Sequence, residues 1–215
     1  MVEISLPLER HHIVRVEPAA WSRMVARCPE FRDEPLVSSW VDRGWPVIAR
    51  RPVCGDLTID HVPLGLALPV SHGRRRLMLN LPAEDLLRVD PPPLLRDAAL
   101  VAPDGWGIVL AGALAIDADV RCYGSLAWQC LTGLPYVAGD SYLNLLWHPP
   151  TAAAADALGA QIERLADRAP MRIDGEFLTP SGLAVRWREW LSSSHELVVK
   201  TNEWVSLMGR QDIFA

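Results

Sequence analysis

Two rhythms of hydrophobic and polar positions run along this chain, one near 3.6 residues and one near two, and they outline its elements. Over Pro18 to Arg27, Trp21, Met24 and Val25 recur at i, i+3 and i+4, which predicts a short helix. Pro46 to Arg50 and Arg74 to Leu81 predict strands, the second by its alternation of polar and apolar residues. Val89-Asp90-Pro91-Pro92-Pro93 predicts a linker, because three prolines cannot continue a helix or a central strand. The linker divides a small mixed α/β domain, 1–89, from a larger one, 90–215. In the second domain Gly107 to Leu110 and Val120 to Tyr123 predict strands. Ser125 to Thr132 predicts a helix stopped by Gly133 and Pro135. Tyr142 to Trp147 predicts the central strand. Ala152 to Ala166 predicts an alanine-rich helix with Leu158, Ile162 and Leu165 towards the sheet. Met171 to Leu178 and Glu196 to Thr201 complete the strands of an α/β fold.

Composition narrows the function classes. Half of the 215 residues are hydrophobic, ample for a folded core, and the formal charge of −5 argues against a nucleic-acid-binding surface. The first residues, MVEISLPLERHH, contain no apolar leader segment, and no apolar run of about 18 residues occurs. A cytoplasmic protein without a membrane span is expected. Cys28, Cys54, Cys122 and Cys130 show no Cys-x-x-Cys spacing and are expected to be small core residues. His11 and His12 are adjacent and would point to opposite faces of a strand, which disfavours a shared metal site.

The chemistry concentrates between Tyr123 and Trp147, YGSLAWQCLTGLPYVAGDSYLNLLW, which reads as strand, Gly-Ser turn, helix, loop and strand. Gly124 and Ser125 would let backbone amides approach phosphate oxygens at a helix N-terminus. Period-2 alternation places Tyr142 and Asn144 on one strand face, joined by Asp140 if the strand extends back that far. Asp174 and Glu176 are a second i, i+2 pair, either site residues or ordinary charges on a solvated face. For anionic groups the chain offers Arg74, Arg75 and Arg76 after a Ser-His-Gly turn, and Arg186, Arg188 and Lys200 in its second half. A solvated hairpin tip is the alternative for the arginine run. Ser125 lacks a Gly-x-Ser-x-Gly elbow and a sequence-placed histidine, so a serine nucleophile is not expected.

These residues also carry a resemblance. Tyr123 to Gln129, Leu131 to Tyr136, Leu143 and Leu145-Leu146-Trp147 resemble the malonate decarboxylase holo-acyl-carrier-protein synthases, or phosphoribosyl-dephospho-coenzyme A transferases. Further matching positions are Pro63 to Leu66, Arg74 to Arg76, Asp174-Gly175-Glu176, Val185, Trp187 to Glu189 and Val199 to Thr201. The resemblance implies a nucleotidyltransferase-like C-terminal domain. It implies transfer of a phosphoribosyl-dephospho-coenzyme A unit from its triphosphate precursor to a serine of the malonate decarboxylase acyl-carrier subunit, with release of pyrophosphate. Gly124 and Ser125, with Arg74, Arg75, Arg76 or Lys200, would hold phosphate. Nucleic acid and membrane are not implied partners.

The implied cofactor is magnesium, which neutralises charge on the departing pyrophosphate and prefers carboxylate oxygens. The family block ends Ser-Asp-Leu-Asp-Leu-Leu-Trp, whereas this chain has Ser141-Tyr142-Leu143-Asn144-Leu145-Leu146-Trp147. Both metal-binding aspartates therefore fall on non-acidic residues, and His12 stands where the family has a third aspartate. Asn144, Asp140, Asp174 and Glu176 are what remains as a metal set, with Asp174 or Glu176 as the third ligand. Tyr142 is bulky and protonated near neutral pH, and Asn144 carries no charge. Weakened metal binding and a rate lower by about a thousandfold or more are expected. The alternative reading is a catalytically impaired relative that binds the precursor or the carrier without transfer.

Overall fold

The computed structural model describes residues 8–53, 56 and 60–215. Cys54 lies outside them. Two compact units divide between Pro91 and Pro92, and strand pairing continues through Asp90 before the prolines interrupt it.

The first unit contains β1 (Ile13–Val16), α1 (Pro18–Arg27), α2 (Pro29–Arg32), α3 (Pro35–Ser38), β2 (Val47–Ala49), β3 (His61–Ala67), β4 (Arg76–Pro82) and β5 (Leu86–Asp90). Its five-stranded sheet has the order β4-β3-β2-β1-β5, with every pair antiparallel. Proline starts each of the three helices, where its missing N–H costs nothing. Trp21 and Trp40 are fully buried, and their indole N–H groups donate to Val37 O and Pro46 O, each at 2.9 Å. The sequence expectation for Arg74 to Leu81 is displaced. Arg74 has φ 52° in the turn before β4, and the strand begins at Arg76. His11 has φ 70° and precedes β1, so the two histidines do not alternate along a strand as expected.

The second unit holds α4 (Leu95–Ala98), α5 (Gly107–Ile116), β6 (Arg121–Tyr123), α6 (Ser125–Thr132), β7 (Leu143–Trp147), α7 (Ala152–Ala166), β8 (Ile173–Leu178), β9 (Ala184–Arg186), α8 (Trp187–Trp190), β10 (Glu196–Lys200) and β11 (Val205–Gly209). Its six-stranded sheet has the order β11-β10-β9-β8-β7-β6. β7 and β8 are parallel and joined through α7, as a parallel pair requires a crossover; the remaining pairs are antiparallel. Leu143, Leu145, Trp147, Ile173 and Phe177 turn to a core shared with Leu126, Ile162 and Trp187.

Two sequence expectations are corrected here. Gly107 to Leu110 opens α5 rather than forming a strand. The apolar run continues to Ile116, too long for a typical strand, and buries Val109, Leu110 and Ala113 at helical spacing. The strand ending at Trp147 starts at Leu143, leaving Tyr142 just outside it, and it is second from the sheet edge rather than central. No helix among the described residues is long and apolar enough to cross a membrane.

Candidate functional site

Alternation along β7 and β8 sends Leu143, Leu145, Ile173 and Phe177 into the core and so presents Asn144, Asp174 and Glu176 on the other face. The register then brings these positions together. Asn144 is flanked by Tyr123 on β6 and Asp174 on β8, and Glu176 is opposite Arg186 on β9. Between Asp174 and Glu176, Gly175 is required by close approach, since a Cβ there would lie 2.1 Å from Leu145 O.

Gly124 bends the chain from β6 into α6 at φ 73° and ψ −149°, a backbone region open essentially to glycine. A Cβ at Gly124 would sit 2.7 Å from Asn144 Nδ2. The start of α6 at Ser125 is thereby set against Asn144, whose Nδ2 donates to Tyr142 O at 3.2 Å.

The surrounding charges are already engaged. Lys200 Nζ lies 2.8 Å from Glu176 Oε1, and the Glu176 side chain is 5% exposed. Arg186 Nη2 lies 3.4 Å from Asp174 Oδ2, while Asp174 Oδ1 accepts from the Gly175 N–H at 2.9 Å. The Arg172 guanidinium stands over the Tyr142 ring, 5.1 Å from its centroid. Arg172 has no place in the sequence reading. Its signal was the i, i+2 spacing to Asp174, which continues the same face one rung beyond β8.

Asp140 occupies a turn ahead of β7 and is not on the strand face; the Ser141 N–H donates to Ala138 O at 2.9 Å and closes that turn. Arg74, Arg75 and Arg76 belong to the first unit, where Arg75 pairs with Glu34 at 2.6 Å. His12, also in that unit, pairs with Glu9 at 3.1 Å. Arg188 stacks over Trp187 at 4.2 Å and donates to Ile173 O at 3.3 Å. Burial pushes the Cys122 thiol up to about 12, which removes it as a thiolate ligand or nucleophile, and burial raises Cys130 as well.

Magnesium requires several oxygen donors, carboxylates foremost. Among the described residues no group of three or more His, Cys, Asp or Glu is placed to hold a metal ion. Asp174 and Glu176 are each paired with a protein cation, and their neighbours are a neutral amide and a phenol. The residues present do not fit the metal.

The fold and this face define a two-unit α/β protein with a polar site of paired charges on its C-terminal sheet. Residues 94–211 match the Phosphoribosyl-dephospho-CoA transferase MdcG C-terminal domain, and residues 9–92 match the corresponding N-terminal domain. The chain belongs to the phosphoribosyl-dephospho-CoA transferase family. It is 38% identical over 213 residues to a phosphoribosyl-dephospho-CoA transferase of Bradyrhizobium diazoefficiens, covering 97% of this chain and 93% of the relative. A Xanthomonas campestris pv. campestris protein of the same name is 35% identical over 186 residues, 84% of this chain and 86% of the relative. One from Pseudomonas putida is 32% identical over 182 residues, 80% of each. No solved structure matches.

Proposed function

We propose that the chain transfers a phosphoribosyl-dephospho-coenzyme A unit from its triphosphate precursor to a serine of the malonate decarboxylase acyl-carrier subunit. The serine oxygen attacks the α-phosphorus, a phosphodiester bond forms, and the bond to the β-phosphate oxygen breaks to release pyrophosphate. The serine proton leaves to solvent. Such displacement depends on positioning and on neutralising the departing charge. The observation that carries this reading is membership of the family over both units. Placement of Gly124 and Ser125 against the Asn144–Asp174 rung supports the location.

A second reading is favoured by Tyr142 and Asn144 themselves: the chain binds the precursor or the carrier without transferring anything. Intact mass spectrometry of the apo carrier after incubation with precursor and this chain separates the two. A mass increase of one prosthetic group establishes transfer. An unmodified carrier that nevertheless co-purifies with the chain establishes the binding role.

A further inference from the structure

At the positions where the family resemblance calls for metal-binding carboxylates, this chain has built something of the opposite sign. Arg172 covers the Tyr142 ring, Arg186 pairs with Asp174, and Lys200 pairs with Glu176. Asn144, between Tyr123 and Asp174, contributes no charge. Three cations thus contact residues that supply two carboxylates, and each carboxylate is paired with one of the cations. A divalent cation entering here meets carboxylates that already have protein counter-ions. A polyphosphate meets guanidinium groups that attract it.

The exposed groups suit that ligand. The Arg186 side chain is 54% exposed and spends a single long contact on Asp174. Arg172 is exposed and engages Tyr142 through a ring face, a contact that uses no hydrogen-bond acceptor. Both guanidiniums can offer paired donors to phosphate oxygens. We propose that this sheet face is a metal-free polyphosphate site, in which Arg172, Arg186 and Lys200 supply the positive charge that magnesium supplies on an aspartate-bearing face. The proposal rests on the reading that this face receives the triphosphate end of the precursor.

The test is calorimetric titration of the full chain with inorganic tripolyphosphate, once in EDTA and once in excess magnesium. Binding in EDTA is expected to be at least as tight as with magnesium, because the metal competes for the probe. Arg172→Gln and Arg186→Gln alter exposed side chains, and each is expected to weaken binding about fivefold or more. Manganese titration followed by electron paramagnetic resonance adds a readout independent of turnover. The parent chain should leave manganese free, whereas the double variant Tyr142→Asp/Asn144→Asp should bind it. Tripolyphosphate binding that requires magnesium would overturn the proposal, as would no binding in either buffer. Loss of binding on replacing Arg74 to Arg76 with alanine, with Arg172→Gln and Arg186→Gln silent, would overturn it too. An unmodified carrier combined with tight metal-free binding removes the transfer reading and leaves this one. A modified carrier combined with magnesium-dependent binding does the reverse.

Discussion

Lys200 Nζ stands 2.8 Å from Glu176 Oε1, joining β10 to β8 across β9 with a carboxylate whose side chain is 5% exposed. A buried ion pair of this kind adds little net stability, because desolvation offsets most of the attraction, yet removing one partner strands the other charge.

Lys200→Met is therefore expected to cost about 3 kcal/mol, within the range for breaking a buried pair. Adding Glu176→Gln should restore most of that loss. Urea unfolding of the two single variants and the double checks this through the coupling energy. Additive losses would show that the pair is not coupled.

The first unit contains a comparable contact with a pH signature. Arg50 and Asp56 lie 2.5 Å apart, with Asn80 Nδ2 donating to the same carboxylate at 2.9 Å. The Arg50 hydrogen bond, ahead of that from the Val53 amide, holds the Asp56 carboxyl well below its usual 3.8. A depressed carboxyl contributes stability that is fully present above the unfolded value and lost as pH falls below it. Urea midpoints should accordingly drop as pH falls below about 4, and Asp56→Asn should lower the neutral-pH midpoint while flattening this acid slope. An unchanged slope would rule out the Asp56 contribution.

Gly124→Ala should cost about 1–3 kcal/mol from backbone strain alone, with the clash against Asn144 Nδ2 added to it. Combining it with Asn144→Ala relieves the clash but leaves the φ of 73°. The double variant is expected to recover part of the loss in thermal unfolding, and full recovery would mean the backbone is unstrained.

Placing aspartates at 142 and 144 gives the most direct functional test. Tyr142→Asp and Asn144→Asp together place two carboxylates beside Asp174 on one face, and like charges directly opposite destabilise a sheet. The double variant should melt below the parent in EDTA and rise on adding magnesium, while the parent ignores the metal. It should also release pyrophosphate from precursor and apo carrier faster than the parent by orders of magnitude. A parent that matches it would show that the displacement does not need carboxylates at these two positions.

Much of the second unit was legible in sequence because its helices carry strong local signals. Ser125 to Thr132 and Ala152 to Ala166 are bounded by glycine, proline and a Thr151 cap that accepts from the Ala154 N–H at 3.2 Å. Two of the strands left unread are short or interrupted. β9 has three residues, and β3 carries Pro63 and Gly65 within its seven. The strand expected at Gly107 failed because its first four residues fit either period. Asp174 and Glu176 could be singled out from i, i+2 spacing, and Tyr142 and Asn144 from the family resemblance, but their partners could not. Whether Asn144 faces Asp174 or Glu176 is decided by the parallel register across the α7 crossover, which no local pattern encodes. Arg172 lies inside the strand expected over Met171 to Leu178 but just before the observed Ile173–Leu178, and its partner is a ring face that no spacing reveals.

The parallel pairing of β7 with β8 has a consequence for inheritance. Rungs run across the sheet, Asn144 to Asp174 and Leu146 to Glu176, with Tyr142 reaching Arg172 just beyond the last bonded pair. Residues about thirty apart in the chain are thus immediate neighbours, and a mutation at one is tolerated or refused according to its rung-mate. An aspartate at 142 would meet Arg172 as a counter-ion, and one at 144 would meet Asp174 as a like charge. Aspartates at these two positions are therefore not equivalent: introduced singly, the first would be welcomed by its neighbour and the second resisted, which orders the substitutions by which this face could become acidic.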